Sequence, residues 1–467
     1  MSSSFFRPMS SGRMINSFNR RVIDRKATLL STSCSSYRYL TTAILNDDSI
    51  TIPSLGNTTF PYIWLRDSCT SPQSKHPETT QKLHSSTDFD VDIRPKKVKI
   101  VGDGDSEGEK GIHIEWPDGH ISFFRESFLK RHSTKESLAS FRKDVEAETW
   151  DREDLQNSRD LFLHHDEIQT PAGLLRAIDQ LCRYGLLFVK SVPTDAKPVD
   201  RPLSDLALRF SSEIRETFYG RIFNVQNKNS ENIAYTNLKL GLHMDLLYFE
   251  HPPRYQILHC IRNRVQGGSS IFSDSFHAAK LLKSFYPEDY DILTKTPVPF
   301  EYMYGNHHLH ASHPTIEEDR YNPALQCPPI KCINYGPPFQ APLLLSSNSS
   351  SSLSTKLSPS SSSSAIRRFY LALGRFANLV NSPEHTYEYT LQEGDAVIFD
   401  NRRALHARTA FRNIESNKEG PGKRSGSDKG QEMDISRWLQ GCYFEGDTMK
   451  DRGRVLRATR ESERDSI

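Results

Sequence analysis

From Tyr255 onward the chain is built of short apolar runs separated by polar turns, and this feature most limits what it can fold into. Tyr255-Gln256-Ile257-Leu258-His259-Cys260-Ile261 is followed by a Gly267-Gly268 turn and by Ser270-Ile271-Phe272-Ser273. Further on, Gly394-Asp395 leads into Ala396-Val397-Ile398-Phe399 and then a polar turn before His406. Runs this short, rich in β-branched and aromatic residues and bounded by glycine and polar turns, predict strands. A long series of them predicts a barrel or a double-sheet jelly roll.

The chain has 467 residues, more than one hydrophobic core usually serves, so two domains plus tails are expected. Residues 46–140 predict a small N-terminal β domain. Its strands are expected at Ile50-Thr51-Ile52-Pro53, Tyr62-Ile63-Trp64-Leu65, Val98-Lys99-Ile100-Val101, Ile112-His113-Ile114-Glu115-Trp116 and Ile121-Ser122-Phe123-Phe124. A polar, charge-rich stretch over 141–160 predicts a linker, and 161–467 a larger domain. There Thr170-Pro171-Ala172-Gly173 opens a helical pattern with apolar Leu174, Leu175, Ile178 and Leu181, Thr170 serving as cap. A buried strand follows at Gly185-Leu186-Leu187-Phe188-Val189. The class is therefore mostly β with flanking helices. Two segments, the serine-rich 345–364 and the charged 413–434, are too polar to order themselves and predict disordered surface insertions.

Charge excludes one class of function. With 60 Lys and Arg against 58 Asp and Glu, and no basic stripe interleaved with aromatics, a nucleic-acid partner is not expected. Seven scattered cysteines form no Cys-x-x-Cys pair, which predicts a reducing compartment rather than a disulfide framework. No apolar run is long enough to predict a membrane span. The first forty residues carry Arg7, Arg13, Arg20, Arg21, Arg25, Lys26 and Arg38 against the single acid Asp24. Residues 1–45 therefore read as a mitochondrial transit peptide; the alternative is a basic disordered tail on a cytoplasmic protein.

The chemistry is concentrated in His243-Met244-Asp245. In extended backbone, residues two apart point to the same side, so His243 and Asp245 can face one ion while Met244 points away. His406, just after an apolar strand and a tight turn, is the best third ligand. Two imidazoles and a carboxylate on one face are the ligand set of non-haem Fe(II) oxygenases, which leave other coordination positions open. His307, His308, His310 and His313 form a rival cluster by count, but their setting predicts a solvated loop. Arg437, in the strand Ile435 to Tyr443, offers a planar fork suited to a carboxylate. If that strand is regular, Arg437 and Tyr443 share its interior side. Arg402, Arg403 and Arg408 are nearer His406 but read as solvated turn and rim charges.

With these pieces together, the chain resembles the gamma-butyrobetaine dioxygenase and trimethyllysine dioxygenase family of Fe(II)/2-oxoglutarate oxygenases over roughly residues 50 to 455. The motifs that carry the resemblance are Trp64-Leu65-Arg66-Asp67-Ser68-Cys69, Trp116-Pro117-Asp118-Gly119-His120, Phe218-Tyr219-Gly220, Asn232-Ile233-Ala234-Tyr235-Thr236 and His243-Met244-Asp245. They continue in His251-Pro252-Pro253, Leu258-His259-Cys260-Ile261, Asp400-Asn401-Arg402 with His406, and Ser436-Arg437 to Tyr443. The resemblance implies a double-stranded β-helix with His243, Asp245 and His406 as iron ligands and Arg437 holding the distal carboxylate of 2-oxoglutarate. It implies O2 as second cosubstrate, ascorbate as reductant and a homodimer. It also implies a trimethylammonium substrate at Tyr219, Phe223, Asn232, Tyr235 and Tyr443, where ring faces suit a cation that cannot donate hydrogen bonds.

Three departures stand out. The family commonly holds zinc in its N-terminal domain through Cys-x-Cys-x-x-Cys and a later His; here Ser71 and Ser74 follow Cys69, leaving only Cys69 and His120. Two ligands do not make a closed structural zinc site. Phe223 stands where the betaine enzymes usually carry Trp. The charged segment at 413–434 lengthens the connection between His406 and Arg437. The activity implied is hydroxylation of gamma-butyrobetaine to L-carnitine. The alternatives are a trimethyllysine dioxygenase, a hydroxylase of another small substrate, or a β-helix protein that binds ligand without turnover.

Overall fold

The computed structural model describes residues 42–101, 110–226, 236–319, 329–344, 359–414 and 435–465. The transit-peptide reading, most of both insertions, and the site positions Asn232 and Tyr235 lie outside the described residues. The chain divides into two compact units, Met1–Thr134 and Lys135–Ile467.

The first unit carries two three-stranded antiparallel sheets, Ile44–Leu45, Ser49–Ile52 and Thr58–Pro61, then Lys97–Val101, Gly111–Glu115 and Ile121–Arg125. Ile50, Ile52, Phe60, Ile112, Ile114, Trp116 and Phe124 alternate inward to form its core. The Trp116 indole donates to Ser122 Oγ at 2.8 Å. One predicted strand is a helix: Tyr62–Asp67 is α-helical. Its β-prone composition misleads because the buried residues are Tyr62, Leu65 and Arg66, the i, i+3, i+4 spacing of one helix face. Arg66 is buried and bonds Asp118 at 3.0 Å.

In the second unit, α1 (Pro171–Tyr184) starts as its sequence predicts. Thr170 Oγ1 accepts from the Gly173 amide at 3.0 Å, and Gly185 ends the helix with φ 71°. The strands that build the site are β1 (Phe162–His164), β2 (Leu186–Lys190), β3 (Phe223–Gln226), β4 (Leu240–His243), β5 (Tyr255–Asn263) and β6 (Ser270–Asp274). They continue with β7 (Pro297–Tyr304), β8 (His307–Pro314), β9 (Thr386–Tyr389), β10 (Ala396–Asp400), β11 (Ala404–Arg408) and β12 (Arg437–Phe444). One sheet has six strands in the order β1-β2-β10-β5-β12-β3; the other has four, β4-β11-β6-β9.

The central strands read as continuous apolar runs because the six-stranded sheet is covered on both faces. Leu187, Val189, Ile257, Ala396 and Ile398 face α1 and the helix Arg201–Phe210. Their neighbours Leu186, Phe188, Val397 and Phe399 point the other way, to the four-stranded sheet and Phe272. Phe272 meets Phe188 and Phe399 at ring-centroid distances of 5.8 and 5.6 Å. This is the double-stranded β-helix.

Three further expectations are corrected. The 141–160 stretch is not a free connector: Trp150 is fully buried, its amide donates to Asp274 and its indole to the Tyr184 carbonyl. One large aromatic outweighs the polar residues around it, since burying such a ring dominates local energetics. His307 to His313 is not a loop but β8, paired residue for residue with β7. His307, His308 and His310 are exposed on that hairpin, whereas His313 is buried against the Phe249 carbonyl at 2.9 Å. Finally, the end of the serine run, from Pro359, already belongs to the helix Pro359–Val380, which Phe369, Ala372, Phe376 and Val380 anchor in the core.

Candidate active site

The metal-binding geometry follows from one register. β4 pairs antiparallel with β11 so that His243 lies directly opposite His406, and their rings sit 4.2 Å apart, centroid to centroid. β4 ends at His243, so Asp245 is presented not by a continuing strand but by the turn behind it. Met244 is fully buried on the opposite side. Asp245 Oδ1 lies 3.3 Å from His243 Nε2 and 3.8 Å from His406 Nε2. Ligand atoms of all three lie within 4.8 Å of one another.

The orientation of each ligand has a local cause. His243 Nδ1 is 2.8 Å from the Gly241 carbonyl, which favours the tautomer that leaves Nε2 free as a lone-pair donor. Leu246, just after Asp245, has φ 61°, a left-handed conformation that costs a non-glycine residue roughly 1–2 kcal/mol. That turn is held by Asn401, wholly buried: Oδ1 accepts from the Asp245 amide at 2.8 Å, and Nδ2 donates to the Asp245 carbonyl at 3.1 Å. Asn401 sits in the turn between β10 and β11. That turn, which joins β10 of the six-stranded sheet to β11 of the four-stranded one, thus leads into the strand of His406 and clamps the backbone of Asp245. Tyr443 completes the arrangement by donating its hydroxyl to Asp245 Oδ2 at 2.9 Å.

The electrostatics suit a cation. Burial alone would raise the Asp245 carboxyl, but the His406 and His243 imidazoles and the Tyr443 hydrogen bond hold it well below the usual carboxylate range. Burial, then the neighbouring His243, pushes His406 down to about 3, so it stays neutral and able to ligate. Two imidazoles and one carboxylate, buried on one side and open to a cavity on the other, fit Fe(II).

Arg437, Phe223, Tyr219 and Tyr443 line that same cavity. Arg437 is 5 % exposed, and its Nε has no hydrogen-bond partner among the described residues. Gly268, at φ 75°, leaves room for it: a Cβ there would lie 3.2 Å from Arg437 Nε. Burial and the nearby Arg408 charge lower the guanidinium to about 10, so an anion in the cavity would be strongly attracted. Phe223 stacks on Tyr443 at 5.2 Å and lies 6.3 Å from Tyr219.

The arginines read as solvated charges are buried instead. Arg403 is held by Asp274 at 2.9 Å and donates to the Arg183 carbonyl at 2.7 Å. Arg402 bonds Cys332 Sγ at 3.1 Å. Arg408 donates to the Thr236 and Leu238 carbonyls and lines the cavity. The turn between core strands buries Arg402 and Arg403 and the end of β11 buries Arg408; the guanidinium groups are tolerated there because several of their donors find fixed acceptors. Tyr248, Phe339 and Gln256 also line the cavity and were not foreseen. Tyr248 could have been, since it lies three residues after Asp245; Phe339 and Gln256 are brought in only by the tertiary fold.

In the first unit, Cys69, Ser71, Ser74 and His120 converge. His120 Nε2 is 3.2 Å from Cys69 Sγ and 3.4 Å from each serine Oγ. A thiol and an imidazole with two neutral hydroxyls do not fit structural zinc, which takes four Cys or His ligands. The group closes by hydrogen bonding instead.

Fold and site together define a non-haem iron oxygenase on a double-stranded β-helix. Residues 145–443 match the model of the taurine catabolism dioxygenase TauD, TfdA family, and residues 49–130 match that of the gamma-butyrobetaine hydroxylase-like N-terminal domain. The chain belongs to the TauD/TfdA family of Fe(II)- and 2-oxoglutarate-dependent dioxygenases, and it carries a converging His-Asp-His group. It is 48 % identical over 400 residues to dioxygenase str8 of Strobilurus tenacellus, covering 85 % of each chain. To the human gamma-butyrobetaine dioxygenase it is 28 % identical over 411 residues, covering 85 % of this chain and 91 % of that one. To the mitochondrial trimethyllysine dioxygenase of Rattus norvegicus it is 27 % identical over 402 residues, covering 85 % and 82 %.

Proposed function

We propose that this dioxygenase hydroxylates a carbon of a small trimethylammonium compound, gamma-butyrobetaine to L-carnitine being the reading preferred. His243, Asp245 and His406 would hold Fe(II), and Arg437 the distal carboxylate of 2-oxoglutarate. The observation that carries the core of this reading is one cavity holding both the three converging ligands and a buried guanidinium whose Nε has no hydrogen-bond partner among the described residues. Bound iron with 2-oxoglutarate supplies the oxidising power. The chain's own residues supply position: Arg437 orients the cosubstrate, apolar walls of Leu258, Phe272 and Leu439 exclude water, and the aromatic group holds the substrate near the metal.

The trimethylammonium reading rests on Tyr219, Phe223 and Tyr443 standing on one wall, each ring face offering about 0.5–2 kcal/mol to a quaternary ammonium. A second reading, a different small substrate, is favoured by Phe223 in place of Trp and by the 48 % identical relative, whose name specifies no substrate. Trimethyllysine is the third. Succinate formation from 2-oxoglutarate, measured with purified protein, Fe(II), ascorbate and each candidate in turn, separates them. Stimulation by gamma-butyrobetaine is expected; stimulation by neither trimethylammonium compound would discard the cage.

We also propose that the chain is mitochondrial, on the arginine-rich, acid-poor composition of its first forty residues, a feature that fits the trimethyllysine reading more readily than the gamma-butyrobetaine one. A fluorescent protein fused behind residues 1–45 is expected to enter mitochondria, and one that stays cytosolic would contradict this.

A further inference from the structure

On the inner face of β5, one polar side chain has no business in a dry core. Gln256 is 2 % exposed and lines the iron cavity. Its Oε1 is buried without a hydrogen-bond partner among the described residues, and its Nε2 donates to none of them. A buried amide left unpaired is costly, because it has given up water and gained nothing.

Its position says what it awaits. In the six-stranded sheet Gln256 is flanked by Tyr443 on β12 and Phe399 on β10, its register partners on either side. Register partners share a face of the sheet. Tyr443 donates to Asp245, and the Phe399 ring lies 4.7 Å from that of His406. The amide therefore sits between the two side chains that touch the metal ligands. Neither bonds it: the Tyr443 hydroxyl gives its proton to Asp245 and makes no hydrogen bond with Gln256, and Phe399 has no polar atom. The aromatic wall offers no closer partner, since Phe223 belongs to β3, at the sheet edge beyond β12.

We propose that Gln256 is a cosubstrate-binding residue, its amide N–H donating to an anionic oxygen of 2-oxoglutarate at the end nearest the metal, opposite the end assigned to Arg437. This rests on the proposed function above. A hydrogen bond to a charged acceptor is about twice as strong as one between neutral groups, which accounts for a polar side chain retained where an apolar one would pack.

Two variants and two measurements test it. Binding of radiolabelled 2-oxoglutarate is measured by anaerobic equilibrium dialysis with Fe(II), and thermal unfolding is followed on the metal-free, ligand-free protein. Gln256→Leu, close in size and apolar, is expected to weaken 2-oxoglutarate about tenfold while the ligand-free melting temperature holds or rises, since an unpaired buried amide has been removed. Gln256→Glu keeps the shape but sets a carboxylate against the ligand, and is expected to bind more weakly still. Wild-type affinity in Gln256→Leu overturns the proposal. So does Gln256→Glu binding as well as or better than Gln256→Leu, which would mean that the amide faces a hydrogen-bond donor; if the leucine variant does not fold, binding by the glutamate variant at wild-type strength overturns it equally. Failure of the wild-type protein to bind 2-oxoglutarate would instead remove the proposed function itself.

Discussion

Tyr443 does two things that a cage residue alone would not. Its ring stacks on Phe223 while its hydroxyl is committed to Asp245, so it joins the aromatic wall to the metal ligand. Hydrogen bonds to ligating carboxylates typically tune metal affinity by about 10–100-fold. Tyr443→Phe keeps the ring and removes the bond. We predict an Fe(II) affinity about tenfold lower with the substrate KM little changed; an unchanged metal affinity would return Tyr443 to the substrate wall alone. The Asp245 turn depends on contacts that local sequence does not encode. The His-x-Asp spacing made two ligands visible, but the expectation of a continuing strand was wrong in detail. What aims the carboxylate is the left-handed Leu246 and the Asn401 clamp, and neither spacing nor composition shows which distant amide will close on a turn.

At the scale of elements, strands were legible where they were apolar and bounded by glycine or polar turns. β2, β5 and β10 lie close to the runs that announced them, because covering both faces of a sheet requires an unbroken apolar run. Elements whose identity depends on one burial decision were not: Tyr62–Asp67 became a helix, and residues around Trp150 joined the core instead of linking domains. The hydrogen-bonded group in the first unit is where local sequence speaks most directly. Cys69 is buried, and although burial would raise its thiol, hydrogen bonds from Ser122, Ser71 and Ser74 hold it below its usual value. We predict that protein purified with zinc in the medium carries no stoichiometric zinc and that chelator leaves its melting temperature unchanged. The double change Ser71→Cys with Ser74→Cys should create a site with one zinc per chain, because it supplies the missing thiolates. One equivalent of tightly held zinc in the unaltered protein, by metal analysis, would refute this.

For the whole molecule, the three candidate ligands were legible in the sequence and the fold brings them together. Two sheets share an apolar interior, and the one strand pairing that sets His243 opposite His406 also brings the β10–β11 turn onto Asp245. The buried arginines and Gln256 remained hidden because their partners, present or awaited, come from segments far apart in sequence. The proposed chemistry requires His243, Asp245 and His406 to form a single Fe(II) site. Anaerobic titration of Fe(II) into metal-free protein, beside the same titration of Asp245→Ala, tests this most directly. One equivalent bound by the unaltered protein and at least a hundredfold weaker binding by the variant is the predicted result; equal binding by the two proteins would contradict it.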